Sequence, residues 1–395
     1  MNESRNKEIL NFVSNLIKTP SYSGEETGVS NLLSAYFKNH HFDDIIIDDY
    51  GNTIGIIKGN RPGPHVLFDG HMDTVPVTDP SVWKHPPFSA EVSDGKIYGR
   101  GTSDMKGALG TMCCAASFFA DDTNRDFNGE IYIAGVVHEE CFEGIAARSI
   151  SQIVKPDYVI IGEASDLNLK IGQRGRGEIC LETFGIPAHS SNPDKGVNAV
   201  YSMCRAVSLI QKLVPPEHPF LGKGILELTD IKSSPYPGAS VVPEYCRATY
   251  DRRLLVGETR ESVLKPIQDI LDRLSTEDTN FRAKVSFSKG SEKCYTGAEI
   301  SGERFFPGWC FDKNESYIQK ILSSLHSMGY NPKITRYNFC TNGSHYAGEA
   351  GIPTVGMGPS RENLAHTIDE YCELDQLYKV TDCYYAIMNA LLKNK

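Results

Sequence analysis

Apolar residues recur at helical spacing in two stretches near the start of the chain. They are Ile9, Leu10, Phe12, Val13, Leu16 and Ile17, then Val29, Leu32, Leu33, Tyr36 and Phe37. Short β-rich runs at 45–47 and 53–57 flank Tyr50-Gly51-Asn52, a hairpin signal. Further on, the amphipathic pattern gives way to wholly apolar runs. Val66-Leu67-Phe68 leads into Asp69-Gly70-His71. The run 131–137 leads into His138-Glu139-Glu140, and 158–161 leads into Gly162-Glu163. Helical patterns at 105–119 and 144–153 separate the later runs. Three apolar strands that each end on a ligand-type residue predict an α/β sheet with its site at the carboxyl ends of the strands.

Near Gly177 the pattern changes. A strand is predicted at 178–184 and a helix at 196–213, which Pro215-Pro216 breaks. Strands follow at 224–231 and 245–255, then a helix at 258–274 that contains Pro266, then a strand at 283–287. The order β-α-β-β-α-β is that of a ferredoxin-like sandwich. After residue 297 α/β character returns, with a helix at 316–328, a strand at 353–356 and a closing helix at 374–392. The predicted fold class is α/β. A catalytic domain with a mixed central sheet flanked by helices (1–177 and 298–395) is interrupted by an inserted ferredoxin-like α+β domain (178–297).

Length and charge narrow the function. A chain of 395 residues exceeds a typical single core, which agrees with two domains. The net charge of −10 argues against nucleic acid or an anionic membrane as partner. The start is polar, with no apolar signal core, and no run reaches the ~18 apolar residues of a membrane span, so a cytoplasmic protein is expected. Eleven cysteines with no CxxC spacing suggest neither a disulfide framework nor a thiolate zinc site.

The chemistry is carried by Gly70-His71-Met72-Asp73-Thr74-Val75-Pro76 and the stretch Gly99 to Gly107, whose Asp104 lies 33 residues after His71. With Glu139-Glu140, Glu163 and His366 they supply the donors of a two-metal hydrolytic centre. Asp104, short and rigid, suits the bridge. His71, Glu163, Glu140 and His366 suit the terminal positions. Of two adjacent glutamates, one can bind metal while the other moves a proton. Asp73 is placed to accept the second ring N–H of His71. Singly, each of these residues has an ordinary reading as a turn histidine or a solvated carboxylate. Together, with three at strand ends, they do not.

These motifs, with IGEAS at 161–165, PAHSSNPDKGVNA at 187–199 and the late His366, resemble the acetylornithine deacetylase, succinyl-diaminopimelate desuccinylase, aminoacylase and glutamate carboxypeptidase family of dinuclear zinc hydrolases. The resemblance covers essentially the whole chain. A branch linked by name to selenium metabolism is similar in Asp251 to Leu254, Ser291 to Gly297, Phe306 to Trp309 and Phe339 to Gly343. The resemblance implies that His71, Asp104, Glu140, Glu163 and His366 bind two divalent ions, zinc first, with cobalt or manganese as substitutes. It implies that Glu139 is the general base and that Asp73 orients His71. It implies that the insertion is a lid and dimerisation domain, and that its His189 reaches the neighbouring subunit's site to steady the oxyanion. Arg253 resembles the family's substrate-carboxylate arginine, and Asn342, Gly343 and Ser344 offer further donors to substrate. Strand alternation turns Arg252 to the opposite face, where its replacement by lysine is expected to be silent. Two positions depart from the pattern: His138 stands where many relatives have an acidic residue, and Ser240 where relatives often have asparagine.

The expected function is hydrolysis of an amide bond in a small N-acyl amino acid or dipeptide by a homodimer. The alternatives are an N-carbamoyl-amino-acid amidohydrolase, a small-peptide exopeptidase, or a non-catalytic metal- or peptide-binding protein on the same scaffold.

Overall fold

The computed structural model describes residues 2–393. They form two compact units. One comprises the chain up to Gln173, Ser291–Ser301 and the chain from Cys310. The other comprises Arg174–Gly290 and Gly302–Trp309.

In the first unit the apolar runs assemble into a mixed sheet. Its order runs Asp44–Ile47, Thr53–Lys58, Asn128–Val136, Arg61–His71, Tyr158–Ile161, Thr354–Gly356, Leu169–Gln173, and Ile334–Tyr337 also pairs with Leu169–Gln173. Arg61–His71 lies parallel to both neighbours, with His71 level with Val136 and Asp69 level with Ile161. Three carboxyl ends therefore share one edge of the sheet, and the residues that follow them converge there.

Helices cover the sheet. Glu3–Lys18 buries Ile9, Phe12, Val13, Leu16 and Ile17, the stripe read from spacing, and Asn2 caps it by accepting from the N–H of Arg5. Lys106–Thr123 is buried from Lys106 to Ala120. It packs on Arg61–His71 and between Glu3–Lys18 and the closing helix Leu374–Leu392, which explains why it is apolar around its whole girth. Among the described residues no helix is long and apolar enough to cross a membrane.

The second unit is an antiparallel sheet in the order Ile225–Ser234, Tyr245–Leu254, Gly175–Phe184, Arg282–Phe287, with Phe305–Phe306 also pairing with Gly175–Phe184. The helices Ala199–Ile210 and Arg260–Glu277 cover one face. Their Met203, Ala206, Ile210, Ile267 and Leu271 pack with Ile179, Leu181, Ala248 and Tyr250 of the strands. Threonine 259 closes a capping box with Ser262, so the second helix starts firmly despite Pro266 within it.

One boundary differs from the expected insertion of 178–297. Ser291–Ser301 belongs to the first unit. The tyrosine within it, Tyr295, sets its hydroxyl 2.9 Å from Gly51 O and 3.0 Å from Ser30 Oγ, and Thr296 donates to Asp49 O at 2.7 Å. These polar anchors bridge about 250 residues of sequence, a separation that local pattern does not record.

Candidate metal centre

The edge where the parallel strands end gathers six ionisable side chains. His71 is the last residue of its strand. Glu139 and Glu140 lie in the turn after Asn128–Val136, and Glu163 lies two residues beyond Tyr158–Ile161. Asp104 sits in the turn before the helix Lys106–Thr123, and its peptide bond to Met105 is cis. His366 lies in a later turn with φ of 61°.

Asp104 stands between the two imidazoles. Its Oδ1 is 2.9 Å from His71 Nε2 and its Oδ2 is 3.1 Å from His366 Nε2. On the far side of His366, Glu140 Oε2 lies 3.0 Å from Nε2. On the side of His71, Glu163 Oε1 lies 3.4 Å and Glu139 Oε2 3.9 Å from Nε2. Donor atoms of His71, Asp104 and Glu140 lie within 4.8 Å of one another, as do those of His71, Glu139 and Glu163. His71, Glu139 and Glu163 are buried, whereas His366 is half exposed, so the cluster opens to solvent on the side of His366.

The charge balance is lopsided. Four carboxylates face two imidazoles. Burial, then the charge of Asp104, pushes Glu140 and Glu163 up to about 7. Burial and the neighbouring glutamates hold Glu139 well above its ordinary range. Asp104 goes the other way: burial opposes its charge, but the bonds from His366 and His71 lower it. Bonds to Asp104 and Glu140 bring His366 up to about 10. Buried carboxylates this close to one another need more positive charge than two imidazoles supply. Hard oxygen donors mixed with imidazole suit divalent cations such as zinc or manganese. The residues present therefore fit a metal pair.

The frame around the cluster gives two groups of predicted residues further partners. The Nδ1 of His71 lies 2.8 Å from the main-chain oxygen of Asp73, while the Asp73 carboxylate stays 3.5 Å away. That carboxylate also accepts the backbone N–H groups of Glu139 at 3.1 Å and Glu140 at 3.2 Å, and the hydroxyl of Ser23 at 2.7 Å. Asp73 thus meets the histidine with its backbone oxygen and, at longer range, its carboxylate, and the same carboxylate holds the acidic pair. Secondly, the donors of Asn342, Gly343 and Ser344 are engaged inside the fold. Asn342 donates to Asp69 at 3.0 Å and accepts from Gly144 N–H at 2.9 Å. Gly343 N–H donates to Thr341 Oγ1 and the Ser344 hydroxyl to Glu143 O. Buried polar groups must find partners, and here the partners are Asp69, Thr341 and the loop that follows the acidic pair.

Four further residues singled out from the sequence lie in the second unit. His189 is exposed, and its Nδ1 accepts from Ser191 N–H at 3.1 Å. A main-chain N–H can only donate, so the proton of the neutral ring sits on Nε2. Ser240 has φ of 52°, a conformation that asparagine tolerates better than serine, and its carbonyl accepts from Ser190 N–H. Arg253 is partly exposed and gives Nε to Asp251 at 2.8 Å; among the described residues its terminal nitrogens carry no hydrogen bond. Arg252 does not fit its role as a silent neighbour. It is 4% exposed, pairs with Glu258 and donates to Ile225 O at 3.2 Å. Alternation places it opposite Arg253, but on the face that carries Cys246, Ala248, Tyr250 and Leu254 into the core.

Ser23, Asp69 and Glu370 have parts in the frame that no motif announces. Only Glu370 carried a weak signal, as an acidic residue four beyond His366.

The chain matches the profile described as Peptidase family M20/M25/M40 over residues 67–390. It is 30% identical over 385 residues to the uncharacterized protein YgeY of Escherichia coli strain K12, covering 96% of this chain and 93% of that one. It is 27% identical over 392 residues to succinyl-diaminopimelate desuccinylase 2 of Ruegeria sp. strain TM1040, covering 95% and 93%. In fold it is similar to the crystal structure of Bacillus subtilis YXEP, a dinuclear metal binding peptidase, with a TM-score of 0.73 over 98% of each chain and 13% identity. The profile spans both the strand-end cluster and the late histidine, and with these relatives it places the chain in the peptidase family M20/M25/M40, as a hydrolase of C–N bonds.

Proposed function

We propose that this hydrolase is a dinuclear metal-dependent amidase that releases a small amino acid or amine from an N-acyl amino acid or dipeptide bearing a free carboxylate. The observation that carries the reading is Asp104, one oxygen toward His71 at 2.9 Å and the other toward His366 at 3.1 Å. His71, Asp104 and Glu163 would hold one divalent ion, and Asp104, Glu140 and His366 the other. Such a pair, when bound, supplies Lewis acidity that polarises the amide carbonyl and brings water toward a neutral pKa.

The protein's own groups do the proton work. Glu139 is buried beside the cluster, and its Oε1 has no partner among the described residues. It takes the proton of the attacking water and hands it to the leaving amine. Asp73 holds the Glu139 backbone in place through that step. His189, with its proton on Nε2, supplies a donor to the oxyanion from a second copy of the chain. Arg253 takes the substrate carboxylate with its terminal nitrogens. The relatives named as desuccinylases favour an acyl amino acid, and membership of a peptidase family keeps a dipeptide in the comparison.

The test is a panel of N-acetyl, N-succinyl and N-carbamoyl amino acids and dipeptides, assayed after loading with zinc, cobalt or manganese. Products separate the readings: a carbamoyl hydrolase releases ammonia and carbon dioxide, an exopeptidase two amino acids. The reading predicts turnover that chelation abolishes and metal restores. Absence of turnover across the panel, or a chain that never takes more than one ion, would sink it.

A further inference from the structure

The turn that carries Asp104 is gathered by one distant residue. Glu370 is fully buried. Its Oε1 accepts the backbone N–H groups of Gly101 at 3.1 Å, Ser103 at 2.8 Å and Asp104 at 3.1 Å. Its Oε2 pairs with Arg100 Nη1 at 2.5 Å, and its main-chain oxygen accepts from Gly99 N–H at 2.8 Å. Arg100 is itself buried, with its guanidinium 5.2 Å from the Trp83 ring centroid. The preceding residue, Asp369, accepts the N–H groups of Lys84 at 2.8 Å and His85 at 3.1 Å. Nearly the whole run Gly99 to Asp104 is thus hung on one acidic side chain and its own backbone.

Three N–H groups converging on one oxygen make an anion-binding concavity. A carboxylate fills it while its second oxygen meets Arg100. A glutamine in the same place offers one oxygen to the N–H groups and turns its NH₂ toward the guanidinium, donor against donor. The geometric demand on the turn is severe, because Asp104 has to present its two oxygens to two imidazoles at once. Glu370 also belongs to the segment that carries His366, four residues earlier. Asp104 and His366 are thereby referenced to the same piece of backbone.

We propose that Glu370 is a positioning residue for the metal pair: it sets the shared ligand Asp104 in register with His366 by holding the main chain of the 99–104 turn. The inference rests on the dinuclear reading above.

The test uses Co²⁺ as probe, followed by calorimetry and visible absorption, on the chelated full-length chain and its Glu370→Gln and Glu370→Asp variants. Supporting groups around metal ligands typically change affinity by about 10- to 100-fold. Glu370→Gln should weaken Co²⁺ binding by that order and shift the absorption bands, with near-ultraviolet circular dichroism unchanged. Glu370→Asp keeps the charge but retracts it by one methylene, so its affinity should fall between wild type and Glu370→Gln. Wild-type affinity and bands in either folded variant overturn the inference. So does a lowered urea midpoint with no change in Co²⁺ affinity, which would make Glu370 structural only. If Glu370→Gln does not fold, Glu370→Asp alone decides on the same criterion. The wild-type stoichiometry reports separately on the dinuclear reading. Should it stay at one ion, that reading falls, while the difference between wild type and variant at that ion still decides the role of Glu370.

Discussion

Glu139 and Glu140 are adjacent in sequence and turn to different imidazoles. Glu140 reaches His366 at 3.0 Å, whereas Glu139 approaches His71 only to 3.9 Å and keeps one oxygen unpartnered among the described residues. Replacing Glu139 with glutamine keeps shape and removes the proton acceptor. Turnover should fall by ~10²–10⁴-fold with metal content unchanged, because general-base loss acts on the rate. Glu140→Gln should instead lose metal. Kinetics paired with metal titration check this, and identical titrations for the two variants would refute the division of labour. Arg253 allows a second prediction. A planar fork matches a carboxylate where lysine is a point charge. Arg253→Lys should therefore raise KM by roughly 10- to 150-fold for substrates with a free acid, from about 1.5–3 kcal/mol, and hardly at all for their amides. If both substrates respond alike, Arg253 does not hold the acid. Arg252 cannot serve as the silent control, since removing it strands Glu258 in a largely buried site. A surface arginine such as Arg273 on the helix Arg260–Glu277 serves instead.

At the scale of elements, the site is held by ties between segments that sequence keeps far apart. The helix Ile145–Val154 follows the acidic pair, and the single π-helical turn Ser344–Glu349 packs against it. Arg148 joins them by donating two hydrogen bonds to Glu349, at 2.9 and 2.7 Å, and His345 adds a third contact at 2.9 Å. Burial alone would raise the Glu349 pKa, but His345 and Arg148 outweigh it and hold the group at about 2, against an ordinary 4.5. A lowered carboxylate pKa stabilises the folded state above the unfolded value and loses that contribution as pH falls through the folded one. The tie should thus contribute fully above pH 4.5 and vanish toward pH 2. For a half-exposed pair the amount is about 1 kcal/mol once solvent screening is allowed for. The urea midpoints of wild type and Glu349→Gln should differ at neutral pH and converge between pH 4.5 and 2. A gap that stays constant with pH would show that the tie is not electrostatic.

For the whole molecule the open matter is the second copy. The small sheet leaves the strand Ile225–Ser234 at its edge, with Ile231 48% exposed, and on the covering helix Tyr201 is 71% exposed. An edge strand with exposed apolar side chains is a template for pairing, and a two-fold axis lets it pair with itself. The dimer is expected to run through this edge and the exposed face of the helix Ala199–Ile210. Light scattering at micromolar concentration should give a dimer; a fully active monomer would exclude it. Mixing a His189→Ala chain with a Glu139→Gln chain should restore part of the activity if His189 serves the neighbour's site. No recovery in verified heterodimers would place His189 outside that role.

The one-dimensional pattern was enough for the faces of helices, the ends of strands and the residues that follow them. Burial follows periodicity, so the stripe of Glu3–Lys18, the span Leu374–Leu392 and the convergence of His71, Glu139 and Glu163 could all be read from spacing. Alternation also placed Arg252 and Arg253 on opposite faces, although only packing showed that the face of Arg252 is the core. Polar pairing was beyond such a reading. Which donor meets which acceptor depends on segments that approach only in three dimensions, and hydrogen bonds leave no period in a sequence. Tertiary structure alone therefore decided that the Asp73 carboxylate, besides facing the His71 ring, holds the acidic pair, and that Asn342 is tied to Asp69. It alone set Tyr295 beside Ser30 and Gly51, and Glu370 beneath the turn of Asp104.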